Sequence, residues 1–433
     1  MRIENLRGLP LSSALVNSRV PRAALDIDSA VAQIRPLLED VKNLGEDALV
    51  DVAQKFDGFD PRPFKVSPSE LESALAELDP KLRSAIETSI ERVRAVSGAV
   101  LPKPFSVNLA DGATVHQRWQ PVDSVGLYVP GGKAVYPSSV VMNVVPAQVA
   151  GVARLAIATP GQAAFAGRPH PTVLATAALL GVQDVFVIGG PAAVAAFAYG
   201  VPSIGLEPVM MVTGPGNIFV AAAKRALRGR IGIDSEAGTT EILVVADDSA
   251  DARLIAYDLV SQAEHDEAAA CVLVTASAEL LTAVQQELEA VCAATENSAR
   301  VATALSGVQS ALVLVDDLGA AIEFANHYAT EHLEIHTADP MGDARRVSNA
   351  GAIFLGKNSP VSLGDYSAGS NHVLPTGQQA KFGAGLGVHT FLRAQQLIDY
   401  SSEGLAEISD SIQAFARAEG LPGHADAVQA RFD

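Results

Sequence analysis

Apolar positions recur at helical spacing through residues 27–100, most clearly in AVAQIRPLLEDVKNL and SALAELDPKLRSAIETSIERVRAV, and predict a run of helices. After that the period changes. VGLYV (125–129) reads as a strand followed by the loop PGGKAVYPSS, then a helix in SVVMNVVPAQVAGV and a strand in RLAIATP. The alternation continues with TVLATAALLG (helix), DVFVIGG (strand), PAAVAAFAYG (helix opening with Pro), VMMVTGPG (strand and turn) and NIFVAAAKRALRG (helix stopped by Gly). A second series follows: the strand EILVVAD, a helix over 251–264, ACVLVTA, a helix over 278–294, SALVLVDD, a helix over 318–329, HLEIHT and AIFLG. Strands alternating with helices predict parallel sheets with crossover helices. The expected fold class is therefore α/β, with two tandem Rossmann-like parallel-sheet units, a helical N-terminal segment and a helical C-terminal tail. As domains, 1–124 is expected to pack with 237–380 as the larger α/β domain, 125–236 to form a separate unit, and 381–433 to be the tail.

The 433 residues are too many for one compact core, in keeping with two units. A net charge of -18 argues against a nucleic-acid partner, which needs a basic face. Cys271 and Cys292 are the only cysteines, which is no disulfide framework and fits a reducing cytoplasm. MRIENLRGLP carries no signal-peptide core, and the most apolar region, 139–159, is interrupted by Asn143, Pro146, Gln148 and Arg154, so no membrane span is expected.

Candidate chemistry lies in a few stretches. VPGGKA (129–134), IGGPAA (188–193) and TGPGNI (213–218) each end a predicted strand, where open α/β sheets bind ligands. Singly such turns are also how any strand meets a helix; three at one edge make a better case. In SQAEHDE (261–267), Gln262 and His265 share a helix face at the end of an apolar helix. Asp365 sits in the polar, Gly-rich SLGDYSAGSNH, and His424 in AEGLPGH. Nitrogen and oxygen donors without thiolates suit Zn2+, Mn2+ or Co2+, although a helix-end histidine held by a carbonyl accounts for His265 taken alone. In TEHLEIH (330–336), Glu331 and His332 stand at a helix-to-strand junction from which both can reach a cleft. Glu334 and His336 share the face of His332 and are expected at a solvated strand end, with Leu333 and Ile335 on the other face. The cysteines are expected to be structural.

Several longer stretches carry a resemblance: VGLYVPGGKAVYPSSVVMNVVPAQVAGV, TGPGNIFVAAAKR, IDSEAGTTEILVVAD, DLVSQAEHDE, YATEHLEI, GAIFLG, SLGDYSAGSNHVLPT and AEGLPGHADAVQAR, in order over roughly 100–430. Together they resemble the histidinol dehydrogenases. The resemblance implies a zinc enzyme, with one Zn2+ per subunit, that oxidises L-histidinol through the aldehyde to L-histidine and reduces two NAD+. It puts the zinc ligands at Gln262, His265, Asp365 and His424, and the acid/base pair at Glu331 and His332. Substrate contacts fall on Thr240, His372 and Glu419 as well as on the metal ligands and the acid/base pair. NAD contacts fall on Tyr128, Asn217 and the turn holding Ala192. It also implies a homodimer with exchanged tails, so that Glu419 and His424 serve the partner's site.

Two positions depart from the family pattern. Ala192 stands where the NAD-side turn carries glutamine, and Thr239-Thr240 replaces Pro followed by Ser or Thr. The second change keeps a hydroxyl; the first removes an amide. The alternatives are a paralogous zinc-dependent dehydrogenase of the same fold acting on another polar alcohol, and a non-catalytic metal- or nucleotide-binding protein. Retention of Glu419, of Glu331 and of His332 argues against both.

Overall fold

The computed structural model describes residues 1–23, 26–131, 135–236 and 238–433. The chain opens with β1 (Arg2–Asn5) and α1 (Ser13–Arg19), followed by α2 (Ile27–Leu44), α3 (Glu46–Phe56), α4 (Pro68–Ala76) and α5 (Pro80–Ala99), then the hairpin β2 (Phe105–Ala110) and β3 (Ala113–Pro121). The first alternating series is β4 (Ser124–Tyr128), α6 (Pro137–Ala150), β5 (Arg154–Thr159), α7 (Pro171–Leu179), β6 (Asp184–Val187), α8 (Gly190–Tyr199), β7 (Met211–Thr213), α9 (Ile218–Leu227) and β8 (Gly232–Ile233). The second is β9 (Glu241–Ala246), α10 (Ala252–Ala263), β10 (Ala270–Thr275), α11 (Ala278–Ala294), α12 (Ser298–Ser306), β11 (Ala311–Leu314), α13 (Leu318–Tyr328), β12 (His332–His336), α14 (Pro340–Ala344) and β13 (Ala352–Leu355). The chain closes with α15 (Val361–Tyr366), β14 (Leu392–Tyr400), α16 (Ser402–Ala418) and α17 (Pro422–Gln429).

Both series form parallel sheets of the same winding. The first runs β6-β5-β4-β7-β8 and the second β1-β11-β10-β9-β12-β13, each wound outward from its first strand in two directions. β4, β9, β10 and β12 are buried at every residue. Helices cover both faces of such sheets, which is why β9 and β10 are read from nearly continuous apolar runs rather than from alternation.

The N-terminal segment divides between the units, contrary to the expectation for 1–124. β1 pairs with β11 and α1 packs on α13 in the second unit. By contrast α2 packs on α8 and α9, α4 on α7, and α5 on α6 in the first. The reason lies in the cover each sheet needs. The helices of the first unit are short and rich in Ala, and the apolar stripe of α2 (Ala30, Ile34, Leu38, Val41) fills out their packing. Burying Ile34, Leu38 and Val41 contributes roughly 1.5–3 kcal/mol each. Asp26 starts α2 by accepting from Ser29 N, and a Ser67–Glu70 capping box starts α4.

The tail is not wholly helical. Residues 392–400, expected in a helix, form β14, which pairs antiparallel with β3 in the sheet β14-β3-β2. Residues 1–124 likewise contain three strands. The stretch 358–391 links the two units: α15 packs on α10, Asn371 Nδ2 donates to Met142 O at 2.6 Å, and Val373, Leu386, Val388 and Phe391 join the core of the first unit. Among the described residues no helix is long and apolar enough to cross a membrane.

Candidate active site

The densest polar network lies at the N-terminal edge of the second sheet, where β9 and β12 begin side by side. This is the edge opposite the one at which open α/β sheets usually bind ligands. Buried Glu331, one residue before β12, accepts at Oε2 from Thr240 Oγ1 (2.6 Å) and from Glu241 N (2.9 Å). The hydroxyl proton of Thr240 is thereby spent on a carboxylate. The 2.5 Å contact between Gln262 Nε2 and Thr240 Oγ1 must then be donated by the amide. That fixes the amide's orientation and leaves Gln262 Oε1 buried with no partner.

The ring of His332 is fixed in the same way. Its Nδ1 lies 3.0 Å from Glu241 O, and a carbonyl can only accept, so Nδ1 carries the proton. The other nitrogen, Nε2, is buried without a partner and is the acceptor of the neutral ring. Glu331 Oε2 lies 3.4 Å from Nδ1. Burial raises the Glu331 carboxyl above its ordinary range, opposed by the nearby imidazole and by its two donors. The pair is thus an imidazole with an open acceptor beside a carboxylate biased toward taking a proton.

Support comes from a residue the sequence gave no signal for. Arg22 grips buried Glu241 with Nε at 2.6 Å and Nη2 at 3.0 Å, donates to Tyr328 O, and lies 4.0 Å over the Tyr328 ring. Glu241 Oε1 also accepts from Gly377 N. Ahead of Glu331 the backbone turns at Ala329, whose φ of 52° lies in the left-handed region. Gly351 is needed opposite: a Cβ there would stand 2.5 Å from Glu331 O.

α10 delivers Gln262 to this edge from its last turn, and His265 follows just beyond. The acids after the helix are compensated in part: Arg300 Nη1 donates to Glu264 O, Thr295 Oγ1 to Glu264 Oε1, and Asp266 Oδ1 accepts from Ala268 N. His265 is exposed, with Nδ1 3.3 Å from Ser261 O, which leaves Nε2 as the ring nitrogen that could accept a ligand. Asp365 is half-buried on α15, and its carbonyl lies 3.1 Å from His372 Nδ1. Burial lowers the His372 imidazole, opposed by the charge and carbonyl of Asp365. The buried Gln262 amide oxygen without a partner is a donor of the kind a divalent cation takes, as are the imidazole of His265 and the carboxylate of Asp365.

The remaining expected residues lie elsewhere. Tyr128 is buried, and its hydroxyl accepts from Gly190 N at 3.0 Å, bracing the turn before α8. Ala192 is fully buried inside α8. Asn217 is exposed and caps α9 through Oδ1. Of VPGGKA, residues 132–134 lie outside the described residues. These turns occupy the C-terminal edge of the first sheet. Glu419 and His424 are exposed on the tail, and among the described residues no hydrogen bond or ion pair joins 401–433 to 238–388.

Glu334 and His336 correct an expectation. They are buried, not at a solvated strand end, because Asp258 and the start of α15 close over them. Cys271 is buried, as expected of a structural cysteine.

The family model described as histidinol dehydrogenase matches residues 20–432. The histidinol dehydrogenase of Leifsonia xyli subsp. xyli is 52% identical, over 100% of this chain and 99% of that protein. That of Thermobifida fusca is 53% identical over 99% and 96%. A crystal structure of histidinol dehydrogenase from Elizabethkingia anophelis superimposes with a TM-score of 0.92 at 29% identity, covering 99% of this chain and 98% of that one. Family model, full-length relatives and fold agree, and the chain belongs to the histidinol dehydrogenase family.

Proposed function

We propose that the protein oxidises L-histidinol through L-histidinal to L-histidine, reducing two NAD+ and using one Zn2+ per subunit. The observation that carries this reading is the pair of buried, unpartnered acceptors, Gln262 Oε1 and His332 Nε2, joined through Thr240 and Glu331. One suits a cation, the other a substrate proton. Gln262, His265 and Asp365 are the ligands this chain offers. Bound Zn2+ supplies a fixed charge that orients the substrate's imidazole and amine, and bound NAD+ supplies the hydride acceptor.

In the alcohol step His332 Nε2 takes the hydroxyl proton while the carbinol carbon loses hydride. Glu241 O holds the ring throughout by accepting from Nδ1. In the aldehyde step Glu331 takes a proton from water as that water adds to the carbonyl, and a second hydride leaves. Thr240 and Glu241 N keep the Glu331 carboxylate aimed. His372 adds a substrate contact beside Asp365. NAD+ lies at the turns near Tyr128, Ala192 and Asn217.

The fourth ligand, His424, and the substrate contact Glu419 are read as serving the partner subunit in a homodimer with exchanged tails. Their exposure on the tail supports this, as do exposed apolar side chains nearby: Phe105, Val107 and Leu109 on β2, Ile398 on β14 and Phe415 on α16. Two free cysteines fit a cytoplasmic location.

The deciding experiment combines metal content with the yield of NADH per histidinol consumed. About two NADH in a zinc-containing protein supports the two-step reading. A yield near one, or full activity in verified metal-free protein, overturns it.

A further inference from the structure

The face of β12 that carries His332 also carries Glu334 and His336, both buried. The carboxyl of Glu334 touches three elements. Oε1 accepts from Val361 N at 2.9 Å, the first main-chain N–H of α15. Oε2 lies 3.2 Å from His336 Nε2 on its own strand. A carboxyl oxygen of Asp258 on α10 lies within 4.8 Å of the same carboxyl, and its Oδ2 is 3.8 Å from His336 Nε2. Two carboxyls can share a hydrogen bond only with a proton between them. Burial, and then the charge of Glu334, push the Asp258 carboxyl up to about 8, so the proton stays at neutral pH.

The spacing along the helices gives the cluster its meaning. Asp258 precedes Gln262 by one helical turn on α10, and Val361 precedes Asp365 by one turn on α15. Each helix that delivers a proposed ligand is therefore pinned, one turn upstream, to the same buried carboxyl. No atom of the cluster bonds Glu331 or His332 through its side chain. We infer that Glu334, linked to Asp258, is a positioning residue: it fixes the separation of α10 and α15, and so the separation of Gln262 and Asp365 around the metal. This rests on the metal reading proposed above.

The test is zinc affinity, measured on the metal-free full-length protein by competition with a chromophoric chelator, with kcat and KM followed at limiting and saturating Zn2+. Asp258→Asn keeps a donor to Glu334, and Glu334→Gln can still accept from Val361 N; both should bind zinc within about threefold of wild type. Asp258→Ala cuts the tie to α10 and Glu334→Ala cuts both ties. Each should weaken binding by about 10- to 100-fold while kcat recovers at saturating metal. If Glu334→Ala does not fold, Asp258→Ala decides. Wild-type affinity in folded Asp258→Ala would overturn the inference, as would Asp258→Asn binding as weakly as Asp258→Ala. Loss of a second zinc equivalent in Asp258→Asn would also overturn it, because the cluster would then itself hold a cation. If the wild type takes up no divalent metal, the metal reading falls and this inference with it. If the wild type binds and the alanine variants bind equally well, only this inference falls.

Discussion

Glu331→Gln separates the two oxidations proposed here. Its two acceptor bonds, to Thr240 Oγ1 and Glu241 N, both end on Oε2. The amide oxygen of glutamine can occupy that position and accept both, with the NH2 group on the Oε1 side. Stability should therefore change by no more than about 1 kcal/mol, since no donor loses its acceptor. What is lost is a proton acceptor. General-base assistance is worth about 10^2- to 10^4-fold, or roughly 2.7–5.5 kcal/mol of barrier. Most of that loss should fall on the aldehyde step. The alcohol step should fall less, because its base is His332, whose ring Glu241 O continues to hold. The wild-type aldehyde step should also speed up as pH rises through the elevated Glu331 value, and that limb should vanish in the variant. The assay supplies histidinol and histidinal separately with NAD+ and follows NADH in single turnovers. Equal losses with both substrates would refute the division of roles. A large fall in melting temperature would refute the claim that the bonds survive.

His332→Asn should slow both steps while its amide still donates to Glu241 O; a variant slowed with only one substrate would contradict the shared base. Gly351→Ala should cost about 1–3 kcal/mol and lower activity, because its Cβ meets Glu331 O at 2.5 Å and Pro375 Cδ at 3.2 Å; unchanged melting temperature and turnover would disprove the contact. Asp258 keeps its proton up to about 8 when folded and loses it near 4 when unfolded. It therefore makes stability fall as pH rises through that window, by at most about 1.4 kcal/mol per pH unit. Asp258→Asn should flatten the profile in urea titrations at pH 5, 6.5 and 8, and parallel profiles would rule out the raised value. Mixed dimers of His332→Asn and His424→Ala, made by joint refolding, should recover about a quarter of wild-type activity if each site takes one residue from each chain; no recovery with mixed dimers present would place His424 in its own chain's site.

The alternating series was legible because most of its strands are predominantly apolar. ACVLVT and EILVVA have no other use for six buried positions in a row. β14 was not, because LRAQQLIDY is exposed along nearly its whole length and pairs with β3, far away in sequence, through its main chain. Glu331, His332, Gln262 and Thr240 stand in recognisable stretches. Their mutual bonds do not, since those depend on β9 and β12 becoming neighbours across some 90 residues. Glu334 and His336 were misplaced for a related reason. Charged residues at a strand end read as solvated unless their cover is known, and here the cover comes from Asp258 and Val361. Arg22 was invisible: nothing in SRVPRAAL announces a partner at Glu241.

The pairing of β1 with β11 sets an order of assembly. Arg2 lies opposite Ala311, so β1 has no neighbour until residues some 300 positions further along have left the ribosome. During that interval Leu6, Val16 and Val20 lack the Val313, Phe324 and Tyr328 side chains they later pack with, while residues 26–236 already contain all five strands of the first sheet and the helices α2 to α5 that pack on its unit. Such long-range closure slows folding. The first unit can take shape early, and the N-terminal strand with Arg22 behind it docks late. The arm that holds Glu241 is thus among the last parts fixed, and Glu331 and His332 become rigid only when the second sheet is complete.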